Sequence, residues 1–265
     1  MTRFLAPAIA LVIVVSAHGA SAAAPVVKDL SFSGGTERTL LLTPDRPPNQ
    51  PKATVILFPG GDGIIGLAPD GAIRTLTNYL IHFRNQWVER GYAVLLPDVP
   101  AGVSNLMGRR LGDSYAAAVA SLVDYARQMN PVPVWLIGTS QGTNAVVNAA
   151  SRMTHGEIAG IILTSSLTRA GKAAELKETV FDANLAAINV PALVVSHADD
   201  ACILSPASDS SRLQAALSGS PRAKAILVTG GKPAASDTCG ADAPHGFYGV
   251  EVETIAHMAS FIAAH

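Results

Sequence analysis

A serine between two glycines stands where an apolar run gives way to a helix-forming segment. Residues 133–142 read PVWLIGTSQG. The spacing of Gly138, Ser140 and Gly142 predicts a nucleophile elbow, in which small neighbours permit a sharp turn between strand and helix. The hydroxyl of Ser140 would then lie near the backbone N–H of Gln141 and a helix N-terminus, both of which stabilise negative charge. The same pentapeptide also fits an ordinary turn with a capping serine.

An acid and a histidine follow Ser140 at the ends of later apolar runs. A serine hydroxyl needs a base to remove its proton, and that base needs a carboxylate to orient it. We predict His245, in the segment Pro-His-Gly-Phe, as the base. Asp200 is the predicted acid, with Asp199 as the alternative because loop geometry could select either. Serine, then acid, then histidine is the chain order of α/β-hydrolases.

On these motifs the chain resembles an α/β-hydrolase-fold serine esterase of the compact dienelactone-hydrolase or carboxylesterase-like kind, of the secreted bacterial type. The resemblance covers essentially the whole mature chain. It implies an oxyanion hole built from two backbone N–H groups, those of Gln141 and Gly61, with Asp62 as the neighbouring donor to consider. Relatives often carry His-Gly where this chain has Pro-Gly at 59–60. Relatives usually carry glycine at the position of His197, which we interpret as a wall residue or a support behind the site.

The reaction implied is hydrolysis of carboxylic esters of small or soluble substrates through an acyl-enzyme, with no metal and no organic cofactor. Acyl transfer, or amide or peptide cleavage by the same triad, is one alternative. A non-catalytic exported binding protein on this fold is another.

Residues 61–66 match the Gly-x-Gly-x-x-Gly of dinucleotide sites, but no helix begins directly after them, so no nucleotide cofactor is expected. Arg109 and Arg110 fit either contact with an anionic substrate or ordinary solvated charge.

The N-terminus has the features of a secretory signal peptide. Arg3 precedes an apolar stretch over 4–15, and small residues around Ala22 suit cleavage. We therefore predict a signal peptide over 1–22, a secreted or periplasmic protein, and a single domain over 23–265. The net charge of −1, with 15% charged residues and no basic stripe, indicates no nucleic-acid partner and no membrane partner after signal removal. The oligomeric state is left open.

The two cysteines, Cys202 and Cys239, suggest one disulfide in an exported protein. Because Cys202 follows the predicted acid and Cys239 precedes His245, the bridge would tie the acid loop to the histidine loop. A general stabilising role is equally compatible with the pattern. Two isolated cysteines do not suit a zinc site.

Continuous apolar strands that alternate with helices predict an α/β fold: a mostly parallel central sheet with helices on both faces. The segment 167–190 is too short for a large lid, so little or no lid domain is expected. One helix is predicted over 73–87, another capped by Asp113, and a third over 250–264. The predicted strands are 26–32, 39–43, 53–58, 92–96, 158–163, 192–195 and 223–228, together with the apolar run before Ser140.

Overall fold

A computed structural model describes residues 21–45 and 50–265 of the chain. Residues 1–20 of the predicted signal peptide lie outside the described residues. Its last two residues form the short strand β1 (Ser21–Ala22), which pairs antiparallel with β4 (Pro44–Asp45). In the described part, no helix is long and apolar enough to cross a membrane.

Eight strands of the described part form one sheet. They are β2 (Val26–Phe32), β3 (Gly35–Leu42), β5 (Thr54–Phe58), β6 (Ala93–Pro97), β7 (Val134–Thr139), β8 (Gly160–Thr164), β9 (Ala192–His197) and β10 (Ala223–Val228). Their spatial order is β10-β9-β8-β7-β5-β6-β3-β2. The strands from β10 to β6 pair in parallel, whereas β3 pairs antiparallel with both β6 and β2. The prediction of a mostly parallel sheet is confirmed.

Helices cover both faces of this sheet, as expected. They are α1 (Tyr79–His82), α2 (Asn85–Glu89), α3 (Asp113–Met129), α4 (Gly142–Ala150), α5 (Ser210–Ala216) and α6 (Glu251–Ala263). One apolar core lies between the sheet and α3, α4 and α5, and a second lies under α1, α2 and α6. The central strands are buried on both faces, which is why they appear in the sequence as unbroken apolar runs rather than as an alternating pattern.

The single helix predicted over 73–87 is wrong, because the structure divides this stretch into a loop and two short helices. The carbonyl oxygen of Ile65 accepts the N–H groups of Arg74 and Thr75, which holds the upstream residues in a turn. The side chain of Asn78 then accepts the N–H of Leu80 at 3.0 Å and starts α1. Leu80 and Trp87 are fully buried, whereas Leu76 is exposed, and the backbone does not form one continuous helix.

Asp113 does not cap α3 as predicted. Gly112 is the N-cap residue, and Asp113 is the first residue of the helix. Its carboxylate forms an ion pair with Arg152 at 2.7 Å instead. The helix start is therefore displaced by one residue from the sequence-based expectation.

The carboxyl ends of the parallel strands meet at one edge of the sheet, where open α/β sheets bind their ligands. Gly61 follows β5, and Ser140 follows β7. Asp200 follows β9, and His245 follows β10. The fold therefore brings all four segments to one edge although they are distant in sequence.

Candidate active site

The turn at Ser140 has the strained backbone that the glycine spacing predicts. Ser140 has φ 51°, in the left-handed region that side chains other than glycine rarely adopt. Its N–H donates to the carbonyl of Thr164 at 2.9 Å, and its carbonyl accepts the N–H of Thr143 at 3.0 Å. Backbone hydrogen bonds on both sides thus hold the serine in this conformation, which otherwise costs about 1–3 kcal/mol.

Both glycines of the turn are required by contact distances. A Cβ on Gly138 would lie 2.5 Å from the carbonyl oxygen of Gly142, and a Cβ on Gly142 would lie 2.2 Å from the carbonyl oxygen of Phe58. These distances are too short for real atoms. Gly138 must therefore lack a side chain for the turn to close on Gly142, and Gly142 must lack one for the elbow to fit against the carboxyl end of β5.

The loop after β5 passes directly over the serine. A Cβ on Gly60 would lie 2.9 Å from Cβ of Ser140. Gly61 follows with φ 58°, and a Cβ at this position would meet nothing within 4 Å. Within the described residues, the N–H groups of Gly61 and Gln141 donate to no protein acceptor. Two unpaired backbone donors beside Ser140 suit the charge of an oxyanion.

The imidazole of His245 contacts Asp200 and not Asp199. Nδ1 of His245 lies 3.0 Å from Oδ2 of Asp200, and the Asp200 side chain is fully buried. The second carboxylate oxygen of Asp200 accepts the N–H of Cys202 at 2.9 Å. Asp199 is exposed on the loop. The structure thus brings together the histidine and the first-choice acid.

Two further serines contact His245, and neither belongs to a motif that marks it in the sequence. Oγ of Ser205, itself 2% exposed, lies 3.0 Å from the same Nδ1 that Asp200 contacts. The hydroxyl of Ser165 donates to the carbonyl oxygen of His245 at 2.7 Å. These contacts hold both the ring and the backbone of the histidine, and they leave Nε2 as the ring nitrogen available to a substrate.

Ser140 and His245 line one cavity of about 260 Å³. In the described part of the chain, no hydrogen bond of 3.5 Å or less joins the Ser140 hydroxyl to the imidazole, and such bonds often tighten only when substrate binds. The walls come from the loop after β5, the segment before α1 and the loop after β10. They include Gly60, Gly61, Asp62, Ile64, Thr77, Tyr79, Cys239, Gly240, Ala241 and Gly246.

A buried tyrosine connects the cavity wall to the elbow. The hydroxyl of Tyr79 donates to Oγ1 of Thr164 at 2.9 Å, and that hydroxyl donates to the carbonyl of Gly138 at 3.1 Å. The Tyr79 ring packs edge-on against Phe247, with 5.2 Å between ring centroids. Burial raises the pKa of the Tyr79 phenol, so this group stays a neutral hydrogen-bond donor.

Arg110 supports the loop after β5 from behind and does not face the cavity. Its guanidinium is 2% exposed and donates to the carbonyls of Pro59 at 3.2 Å and Leu106 at 3.3 Å. Burial lowers its pKa to about 10. The interpretation of Arg110 as a contact for an anionic substrate is therefore wrong, whereas Arg109 is exposed.

The disulfide between Cys202 and Cys239 is present in the structure. Cys202 is buried in the loop that carries Asp200, and Cys239 lines the cavity.

His197 is buried at the end of β9. Its Nδ1 accepts the N–H of Asp199, and its Nε2 lies 2.9 Å from the carbonyl oxygen of Gly230. His197 is thus a support between the loops after β9 and β10.

Three backbone N–H groups within residues 64–67 donate inside the protein. Asp98 accepts the N–H groups of Ile65 at 3.1 Å and Leu67 at 2.6 Å, and Asp62 accepts the N–H of Ile64 at 3.0 Å. These amides are consequently not turned toward a phosphate. Within the ranges that the structure describes, no group of three or more His, Cys, Asp or Glu residues could hold a metal ion.

Several solved structures share this arrangement of strands and helices. A cold-adapted esterase from an Arctic intertidal metagenomic library is 17% identical, with a TM-score of 0.58 over 88% of this chain and 93% of that chain. Dienelactone hydrolase from Anabaena variabilis is 13% identical, with a TM-score of 0.60 over 92% of this chain and 96% of that chain. A serine hydrolase without a lid from Xanthomonas campestris is 13% identical, with a TM-score of 0.56 over 88% and 94%. The chain has an α/β-hydrolase fold.

No protein-family model and no curated protein matches the chain. At these identities the solved structures establish the α/β-hydrolase fold itself. The fold carries little covering structure, as the sequence predicts: residues 165–191 form only short 3₁₀ turns, at Ala174–Leu176, Val180–Asp182 and Leu185–Ala187.

Proposed function

We propose that this protein is a serine hydrolase that cleaves carboxylic ester bonds of small or soluble substrates. The observation that carries the proposal is the 3.0 Å contact between His245 Nδ1 and the buried Asp200, beside a cavity that Ser140 also lines. A strained serine, an oriented imidazole and unpaired backbone donors are the parts that acyl transfer requires. The esterase and dienelactone hydrolase named among the solved structures support the choice of substrate bond.

In the proposed reaction His245 Nε2 takes the proton of Ser140 as Oγ attacks the ester carbonyl. Asp200 holds the imidazole in the tautomer that carries its proton on Nδ1 and stabilises the imidazolium that forms. The N–H groups of Gly61 and Gln141 bind the oxyanion. His245 then protonates the departing alcohol, and a water activated by the same imidazole hydrolyses the acyl-enzyme.

We also propose that the protein is exported and that 23–265 form its single domain. The signal-peptide pattern over 1–22 is the main support, together with a disulfide of the kind that oxidising compartments maintain. A small-molecule ester is the proposed partner, and the balanced charge provides no basis for nucleic acid or membrane binding. The oligomeric state is left open.

A fluorophosphonate probe tests the catalytic assignment directly. We expect labelling of the wild-type protein at Ser140, shown by peptide mass spectrometry, and no labelling of Ser140→Ala. Hydrolysis of p-nitrophenyl acetate should fall by about 10⁶ in that variant, as expected for loss of a catalytic serine. Full labelling of Ser140→Ala would contradict the proposal by placing the reactive nucleophile at another residue. The absence of labelling in the wild type would contradict it and favour a binding protein.

Parallel assays separate ester hydrolysis from the other reactions of the same triad. Matched ester and anilide substrates with one acyl group test amidase activity, and added alcohol acceptors test acyl transfer. We expect the ester to be hydrolysed faster than the anilide and water to be the main acceptor. A faster anilide, or transfer that exceeds hydrolysis, would replace the esterase assignment while keeping the triad.

A further inference from the structure

A second, larger groove adjoins the cavity at Ser140. This groove, which we call the outer groove, encloses about 630 Å³, compared with about 260 Å³ for the cavity itself. Thr77, Tyr79 and Ala241 line both spaces. A substrate whose scissile bond lies at Ser140 can therefore extend past these three residues without leaving the protein surface.

Aromatic and apolar side chains line much of the outer groove. Phe83 lies beside His82, with 4.8 Å between ring centroids, and Tyr248 lies in the loop after β10. Leu76 is 40% exposed and lines the groove. An aromatic or bulky apolar group bound here would remove these surfaces from water, which contributes about 25 cal/mol for each Å² buried.

The charges around the groove disfavour an anionic ligand. Among the described residues that line the groove, one lysine, Lys232, is accompanied by two carboxylates, those of Asp242 and Glu251. Lys232 Nζ lies 5.3 Å from the ring centroid of Tyr248, so the aromatic face already interacts with it. A neutral ligand avoids the repulsion of the two carboxylates.

The chemistry at His245 decides which half of an ester reaches this groove. Nδ1 is engaged by Asp200 and Ser205, so Nε2 must protonate the departing oxygen. The alcohol half therefore points toward the loop after β10 that carries His245. That same loop supplies Lys232, Ser236, Asp242 and Tyr248 to the outer groove.

We infer that the outer groove binds the alcohol portion of the substrate, and that preferred substrates are esters of neutral, ring-containing alcohols with a small acyl group. The small acyl group matches the smaller cavity at Ser140. This inference rests on the proposed ester hydrolysis and names its substrate class.

Two isomeric esters test the inference with the full-length protein. 2-Phenylethyl acetate carries the ring on the alcohol, whereas methyl 3-phenylpropionate carries it on the acyl group. We expect kcat/KM, followed by pH-stat titration, to be about tenfold or more higher for 2-phenylethyl acetate. The acetate of the same alcohol with a para-carboxylate should be hydrolysed more slowly than the neutral ester. Preference for methyl 3-phenylpropionate, or for the carboxylate, would overturn the assignment.

Variants of the groove provide the second measurement. Leu76→Ala should lower the ratio of kcat/KM for 2-phenylethyl acetate to that for methyl acetate about fivefold, and Phe83→Ala should lower it about tenfold. Leu227→Ala removes another exposed leucine, 56% exposed on β10 and outside both spaces, and should leave the ratio unchanged. Because Leu76 is exposed, its variant is informative even if Phe83→Ala unfolds. An unchanged ratio in Leu76→Ala would overturn the inference.

The proposed function fails in a different way. If no ester is hydrolysed, or if hydrolysis persists in Ser140→Ala, the triad assignment is wrong and the groove inference is overturned with it. If p-nitrophenyl acetate is hydrolysed through Ser140 but the isomers are hydrolysed equally well, only the groove inference is wrong.

Discussion

The hydroxyl oxygen of Ser205 lies 3.0 Å from Nδ1 of His245, the same distance at which Asp200 Oδ2 contacts that atom. A neutral imidazole has one proton to offer at Nδ1, so the two oxygens share one edge of the ring. The carboxylate supplies the charge, and the serine restricts the plane of the ring. Asp200 and Ser205 belong to one loop, which therefore surrounds the Nδ1 edge of the imidazole.

Replacement of Ser205 by alanine should lower kcat about tenfold and leave KM nearly unchanged, because the imidazole loses one of two positioning contacts but keeps its carboxylate. Steady-state kinetics on p-nitrophenyl acetate measures both constants. Ser210→Ala is the matched control, since Ser210 is also buried but bonds to Ser196 at 2.8 Å. Equal losses in the two variants would indicate a general structural effect.

Replacement of Asp200 by asparagine should lower kcat by about 10⁴, because the imidazole then loses its correct tautomer. Asp199→Asn should change kcat less than about twofold, since Asp199 is exposed and makes no contact with His245 among the described residues. Circular dichroism confirms that both variants fold. A larger loss in Asp199→Asn would transfer the role of the acid to that residue.

Loss of the disulfide should reduce both stability and activity. The bridge joins residues 37 positions apart, and closing a loop of that size stabilises the fold by about 4 kcal/mol in the entropic account. For the double variant Cys202→Ser with Cys239→Ser we expect a Tm lower by about 10 °C. At temperatures well below the new Tm, we also expect kcat of the double variant to be lower than that of the wild type, since the bridge links the loops of Asp200 and His245. If kcat is unchanged at those temperatures, the bridge has only a stabilising role.

Glu37 should make the wild-type protein less stable as the pH rises. Burial raises the pKa of its carboxyl from 4.5 to about 8, with a contribution from nearby Asp98, and neither carboxyl oxygen has a hydrogen-bond partner among the described residues. The unfolded chain loses this proton near pH 4.5, whereas the folded chain keeps it to about pH 8, so stability falls across that window.

Glu37→Gln removes this titration. The free energy of unfolding of the variant, relative to wild type, should therefore increase between pH 5 and pH 8, by an amount on the order of a few kcal/mol. Urea denaturation at both pH values measures the difference. A pH-independent difference would show that Glu37 does not titrate in this way.

The sheet and the principal site residues could be predicted because their signals are local. A strand buried on both faces is a continuous apolar run, and β5 and β7 are of this kind. The glycines around Ser140 reflect two close contacts that leave no room for a side chain, one within the turn and one with the carboxyl end of β5. The order of serine, acid and histidine then followed from the type of residue at each strand end.

The supporting contacts could not be predicted because they join distant segments. Ser205 reaches His245 across 40 residues, Ser165 across 80, and Tyr79 reaches Thr164 across 85. Serines and tyrosines are common residues, and only the folded arrangement selects these three. The helix predicted over 73–87 was wrong for a similar reason, since a carbonyl of the loop after β5 holds its first residues.

The order of the strands along the chain also determines when the site can be completed. His245 lies after β10, an edge strand and the last strand of the chain, whereas Ser140 follows β7 at the centre of the sheet. A growing or refolding polypeptide can therefore build the elbow and most of both cores while its proposed base is still absent. During refolding, activity should therefore be regained only when the final loop packs against the sheet, after the sheet itself has formed.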